Sequence, residues 1–254
     1  MSGTSPPQVP GNGDELSAAD MLAQMRALRR QASSISRAYW LPLLLFGMLI
    51  CGSMPFYVEP RMVRGVAVYT SAGWQSPYFG GGGLTGSAWL SVYWFIALQA
   101  GIAASALWYR WRGYRVGLRT PARGLVVAGV VLIELAILAS IIGGRTGYAL
   151  PGDLTIRGTV PLVLIAVPLW VLAWAERSTA LAVIVACYTG LALLASLYDV
   201  ENIFFRLGWN PSSFGWRLAG LPNVALPALL LLLAGAGAWL APRLRWRSRR
   251  PASA

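Results

Sequence analysis

Six long apolar stretches run through the chain, at approximately residues 38–58, 84–109, 125–143, 159–175, 179–198 and 221–241. An α-helix rises about 1.5 Å per residue, so stretches of this length match a hydrocarbon core of about 30 Å. The alternative is a water-soluble core that hides all six. Of the 254 residues 56% are hydrophobic and 12% charged, about half the share of roughly 25% found in soluble domains. So small a soluble domain could not bury so many apolar helices. The expected fold is therefore all-α: a polytopic transmembrane helical bundle of about six spans.

Arginine orders these spans. The net charge of +12 arises from 21 basic residues, all of them Arg, against 9 acids. Arg26, Arg29, Arg30 and Arg37 precede span one, and Arg110, Arg112, Arg115, Arg119 and Arg123 follow span two. Arg177 separates spans four and five, and Arg243, Arg245, Arg247, Arg249 and Arg250 close the chain. These fall on one side of the membrane, and only Arg61, Arg64, Arg145, Arg157, Arg206 and Arg217 fall on the other. Excess Arg in short loops marks the cytoplasmic face, so a multi-pass plasma-membrane protein with both termini cytoplasmic is expected. The aromatics agree. Tyr39, Trp40, Trp108, Tyr109, Trp111, Trp174 and Trp239 mark the inner ends, and Phe56, Tyr57, Tyr198, Phe204 and Phe205 the outer ones.

The same residues exclude several functions. Basic charge dispersed over juxtamembrane segments sets topology and does not form a nucleic-acid patch, so no nucleic-acid partner is expected. With no His, the usual general base and the commonest metal ligand are missing. With no Lys, a Walker A phosphate loop cannot form. Cys51 and Cys187 lie in apolar runs, where cysteine behaves as a small hydrophobe. No metal, cofactor or enzymatic activity is expected.

Four regions follow. Residues 1–16 open Pro/Gly/Ser-rich and read as a disordered cytoplasmic tail. In residues 17–37, Met21, Met25, Leu28, Ala32 and Ile35 recur at helical spacing beside Arg26, Arg29 and Arg30. That pattern fits an amphipathic helix lying on the membrane, or a soluble helix docked on another chain. Residues 38–241 form the six-span domain and 242–254 an Arg-rich cytoplasmic tail. Of the outer loops, 59–83 holds "RGVAVYT", a candidate short strand, and a flexible "FGGGG". In loop 199–220, Ile203, Phe204 and Leu207 fit the buried face of a short interfacial helix.

One polar group stands out. In "VVLIELAILAS" (130–140), Glu134 sits at the centre of span three, where inserting an acid costs about 2.5–3.5 kcal/mol. Gln99 in span two and Tyr188 and Thr189 in span five fall at about the same depth. These four are the expected intramembrane polar cluster. Desolvation favours the uncharged acid, so Glu134 is expected to hold its proton at neutral pH. Two roles stay open: a proton or substrate path, and interhelical glue.

Three stretches, "RAYWLPLLLFG" (37–47), "ALWYRWRGYRVG" (106–117) and "LYDVENIFFRLGW" (197–209), resemble an uncharacterised group of six-span membrane proteins from high-GC Gram-positive bacteria. The layout is also similar to permease subunits of ABC-2-type exporters. Both have a surface helix before span one, a basic inner loop after span two and an aromatic outer loop before span six. The long outer loop after span one departs from that layout. The resemblance implies that Arg110, Arg112, Arg115 and Arg119 contact a separate cytoplasmic ATPase. A membrane sensor acting through a cytoplasmic regulator is the alternative. The expected partners are the lipid bilayer, an ATPase or regulator, and a second copy of the chain.

The topology is testable with single cysteines in a background lacking Cys51 and Cys187. An impermeant thiol reagent applied to sealed cells should label cysteines at Ser71 and Ser213 but not at Ser248. Labelling of the Ser248 position would invert or break the assignment.

Overall fold

The long apolar runs form helices, as runs rich in Leu, Ala and Val should, and the run at 159–175 does so around an interior proline, Pro168. The structure, a computed structural model, describes residues 39–57, 61–63, 66–68, 79, 89–116, 122–146, 158–198, 200–208 and 220–247. All fall in one unit, Tyr39–Ala254. The tail 1–16, the amphipathic helix 17–37 and residues 248–254 lie outside the described residues.

The helices are α1 (Trp40–Ser53), α2 (Trp89–Val116), α3 (Ala122–Thr146), α4 (Val160–Glu176), α5 (Thr179–Leu197), α6 (Val200–Arg206) and α7 (Leu221–Arg247). A 3₁₀ turn, Met54–Phe56, extends α1. Among the described residues three segments are long and apolar enough to cross a membrane: Trp89–Tyr114, Thr179–Leu197 and Leu221–Ala241. Trp40–Phe56, Gly129–Leu138 and Val160–Glu176 are shorter apolar segments.

Local chemistry sets the ends. Pro42, Pro161 and Pro222 sit in the first turns of α1, α4 and α7, where a missing N–H costs nothing. Arg177 ends α4 in the left-handed region (φ 48°), and the Ser178 hydroxyl then caps α5 by accepting from the Leu181 N–H at 3.4 Å. Two residues thus reverse the chain.

Two ends run well past the sequence expectation, and α3 runs three residues past each of its own. α2 continues seven residues past the expected end of span two, and α7 carries the first part of the Arg-rich tail. Arginine is a good helix former, and the helices carry on through Gly113 and Pro242. Between α1 and α2 the expected strand is Val66–Val68, paired antiparallel with Arg61–Val63. The second outer loop contains the expected short helix as α6. Its Val200 is the buried residue, while Ile203 and Leu207 stay exposed.

The helices pack in the cyclic order α1, α7, α5, α4, α3, α2, and α2 returns to α1. α4 also touches α2 and α1 across the ring, which makes it the most enclosed. Buried residues recur at steps of three and four: Leu162, Ile165, Leu169 and Leu172 on α4, and Leu181, Val185, Tyr188, Ala192 and Ala195 on α5.

The most extensive pair is α1 with α7. Gly47 of α1 meets Leu232 of α7, and Gly235 of α7 meets Leu44 of α1. The two glycines act reciprocally. A Cβ on Gly47 would lie 2.9 Å from the Leu232 side chain and 3.2 Å from its backbone nitrogen. A Cβ on Gly235 would lie 2.8 Å from the Leu44 side chain and 3.0 Å from its nitrogen. Small residues let helix backbones approach closely, which matters where lipid is as apolar as the helices themselves.

Gly47→Val and Gly235→Val should each lower stability by about 1–3 kcal/mol through overpacking. Gly237→Ala, with open space around it, should be neutral or slightly stabilising. Thermal unfolding in detergent, followed by tryptophan fluorescence, checks this contrast.

Candidate functional site

The four midplane polar residues separate into two pairs. Tyr188 is fully buried and donates its hydroxyl to the Leu162 carbonyl at 2.7 Å. Thr189 donates to Val185 O at 2.7 Å and accepts from Trp170 Nε1 at 3.1 Å. Both therefore stitch α5 to α4. Gln99 and Glu134 are exposed, on α2 and α3. Among the described residues no hydrogen bond joins either of them to Tyr188 or Thr189. Equal depth along an axis fixes height, whereas each residue turns the side chain by about 100°. For Gln99 and Glu134 the heights are close: Ile102 packs on Gly129, where a Cβ would lie 2.5 Å from Ile102 Cγ2. Counting back along antiparallel helices sets Gln99 level with residues 132–133.

The expected inner segment 110–124 is mostly helix. Arg110, Arg112 and Arg115 ride on the last turns of α2, and Arg119 lies outside the described residues. Arg110 is exposed, its guanidinium 5.7 Å from the Tyr114 ring centre, a cation–π arrangement. Arg112 is half-buried and acts electrostatically on Tyr109.

That tyrosine opens a site which the sequence reading did not single out. Tyr109, 4% exposed, donates a hydrogen bond to Glu176 Oε1 at the end of α4. The charges of Glu176 and Arg112 and the nearby Tyr39 all bear on its hydroxyl. One turn deeper, the buried Ser105 Oγ has no hydrogen-bond partner among the described residues, and neither has Trp108 Nε1. Trp40 and Trp108 stack edge to face at 5.6 Å, and Trp108 lies 5.3 Å from Trp111. The start of α1, the end of α2 and the end of α4 thus converge on one polar and aromatic cluster. Glu176 is the only acid between residues 159 and 198. Its place at a span end, beside Arg177, was the available signal.

The opposite end carries a second buried chain of bonds. Trp94 Nε1 donates to Tyr57 OH at 3.1 Å, and Tyr57 OH donates to Gly158 O at 2.9 Å. The Leu162 N–H bonds to Thr159 O, which leaves the Gly158 carbonyl open to that hydroxyl. Tyr57 and Tyr109, expected only as interface markers, are therefore interior groups that tie α4 to its neighbours.

Comparison with family models, characterised proteins and solved structures yields no match. Chemically, the inner cluster is a charge-assisted clamp between α2 and α4. Hydrogen bonds to charged groups contribute about 1.5–3 kcal/mol. In a thermal-unfolding double-mutant cycle, Tyr109→Phe and Glu176→Leu should couple by about 1–3 kcal/mol. Glu176→Gln, which retains an acceptor oxygen, should keep most of that coupling.

Proposed function

We propose that the chain is a six-span, permease-like subunit of the plasma membrane, with both termini cytoplasmic, working with a separate ATPase. For the spans, α3 has 25 residues, about 37 Å of helix, and Val160–Glu176 has 17, the lower limit for a crossing. The Trp40–Phe56 segment, α1 with its 3₁₀ turn, reaches the same limit. Alternating crossings are supported by two junctions. The end of α1 meets the start of α4 through Tyr57 and Gly158, and the end of α2 meets the end of α4 through Tyr109 and Glu176.

One observation carries the functional reading. α2 runs unbroken for 28 residues, about 42 Å, from inside the bundle to its arginine-bearing end. The Tyr109–Glu176 bond then ties that end to α4, the helix in contact with α1, α2, α3 and α5. A partner that pulls on Arg110, Arg112 and Arg115 moves a rigid rod fixed to the centre of the bundle. Pro168 lies in the middle of α4 and removes the hydrogen bond to Leu164 O, giving that helix a built-in weak point. Having no Lys, the chain leaves ATP hydrolysis to the partner.

The test is ATP hydrolysis by the full-length subunit purified in detergent from its native membrane. Wild type should bring an ATPase with it. The triple change Arg110→Glu, Arg115→Glu, Arg119→Glu should cut that activity tenfold or more, about 1.4 kcal/mol of docking energy, without lowering the amount of subunit. A complex that hydrolyses no ATP and holds a signalling protein instead would favour the sensor reading.

A further inference from the structure

In a membrane, exposed Leu or Val needs no explanation, but exposed polar groups at mid-span do. Ionisable residues in transmembrane helices almost always face the bundle interior or a water-filled cavity. Glu134 does neither: it is exposed on α3, among exposed Val127, Val130, Val131, Leu135 and Leu138. Gln99 is exposed on the neighbouring α2, within a stripe that includes Ile96, Ala100, Ala103 and Leu107. Among the described residues neither side chain has a hydrogen-bond partner. Between the two helices runs a groove of about 720 Å³, lined by Gln99, Ile102, Ala103, Ala106, Val127 and Val130 among others. Glu134 follows Ile133, another lining residue, in the chain.

We infer that this face is the interior of a homodimer, in which Gln99 of each copy bonds to Glu134 of the other across the α2–α3 groove. The partner is assigned from self-complementarity. A two-fold axis along the membrane normal keeps both copies in the same orientation and brings together residues at equal depth. In an isologous interface, residue i meets residue j and j meets i, so one contact satisfies all four polar groups. Gln99 and Glu134 meet that condition: they lie close to one level, set by Ile102 against Gly129. They also suit one another chemically, because the amide NH₂ donates to a carboxyl oxygen whether or not that carboxyl is protonated. Ala100 and Ala103 leave room for close approach beside the amide. A lipid chain would cover the apolar groove but offer nothing to the acid at mid-depth. The groove reaches as far as Arg110, but Gln99 lies about three turns of α2 before it, so the inference stands whether or not an ATPase docks on that arginine.

The test uses the full-length chain in native membranes, with Cys51→Ala and Cys187→Ala as background. Oxidative cross-linking should give covalent dimers from Ala103→Cys and Val130→Cys, and none from Leu233→Cys on exposed α7. In vesicles, single-molecule photobleaching should show that Gln99→Leu or Glu134→Leu raises the dimer dissociation constant roughly eightfold, the weight of two interhelical hydrogen bonds. Both changes suit hydrocarbon, so insertion should be unaffected, and Glu134→Gln should keep the dimer. A monomeric wild type, cross-linking through Leu233 instead, or a fixed complex with a different membrane protein through this groove would each overturn the assignment.

Discussion

The close approach of α1 to α7 is the contact on which the bundle depends. The hydrophobic effect drives helices into the membrane but gives no reason for one apolar helix to prefer another over lipid. What remains is dispersion, which falls away steeply with even a small gap. Gly47 and Gly235 remove the two Cβ atoms that would hold the backbones apart, and each receives a leucine of the other helix. This pairing joins the first described helix to the last and closes the cyclic order. Without it α1 and α7 would be free ends, and α4 would lose the enclosure that makes it central.

A second constraint comes from the backbone. No water reaches the hydrocarbon interior, so each peptide group needs a partner inside the protein. Aromatic and polar side chains meet part of that need: Tyr57 serves Gly158 O, Tyr188 serves Leu162 O, and Asn223 Oδ1 accepts the Val200 N–H at 2.7 Å. The last bond anchors α6 to the start of α7. The tyrosines and Trp94 therefore contribute more than bulk. Their polar ends join one helix to the next.

The helices, their order and the short pieces in both outer loops were legible in the sequence because each rests on local chemistry. Apolar length, Arg placement and turn residues are properties of neighbouring positions. The midplane cluster was legible only in depth. Gln99 and Glu134 lie close to one level, but helix rotation turns Tyr188 and Thr189 toward α4 and the other two outward, and rotation is set by packing with distant residues. The Tyr109–Glu176 clamp was hidden for the same reason. Sixty-seven positions separate its members, and Tyr109 reads from sequence as one more interfacial ring. The segment after Tyr109 misled in the opposite sense. Its charge density suggested a loop, yet arginine carries no helix-breaking chemistry, and α2 simply continues.

These features meet in α4. Its first turn is held by Tyr57 through Gly158 O, its last by Tyr109 through Glu176, and Tyr188 and Thr189 fasten one flank to α5. A helix pinned at both ends and along one side cannot shift as a rigid body without breaking several buried bonds. Bending is the cheaper response, and bending concentrates where the hydrogen-bond ladder is already open, at Pro168. On the proposed function, the Tyr57–Gly158 bond would set the pivot and the Tyr109–Glu176 clamp the point where a load enters. A force on the arginine end of α2 would then reach the middle of the bundle as a change in the angle of α4. The α1–α7 pair, locked by its glycines, supplies the fixed frame against which that change is made.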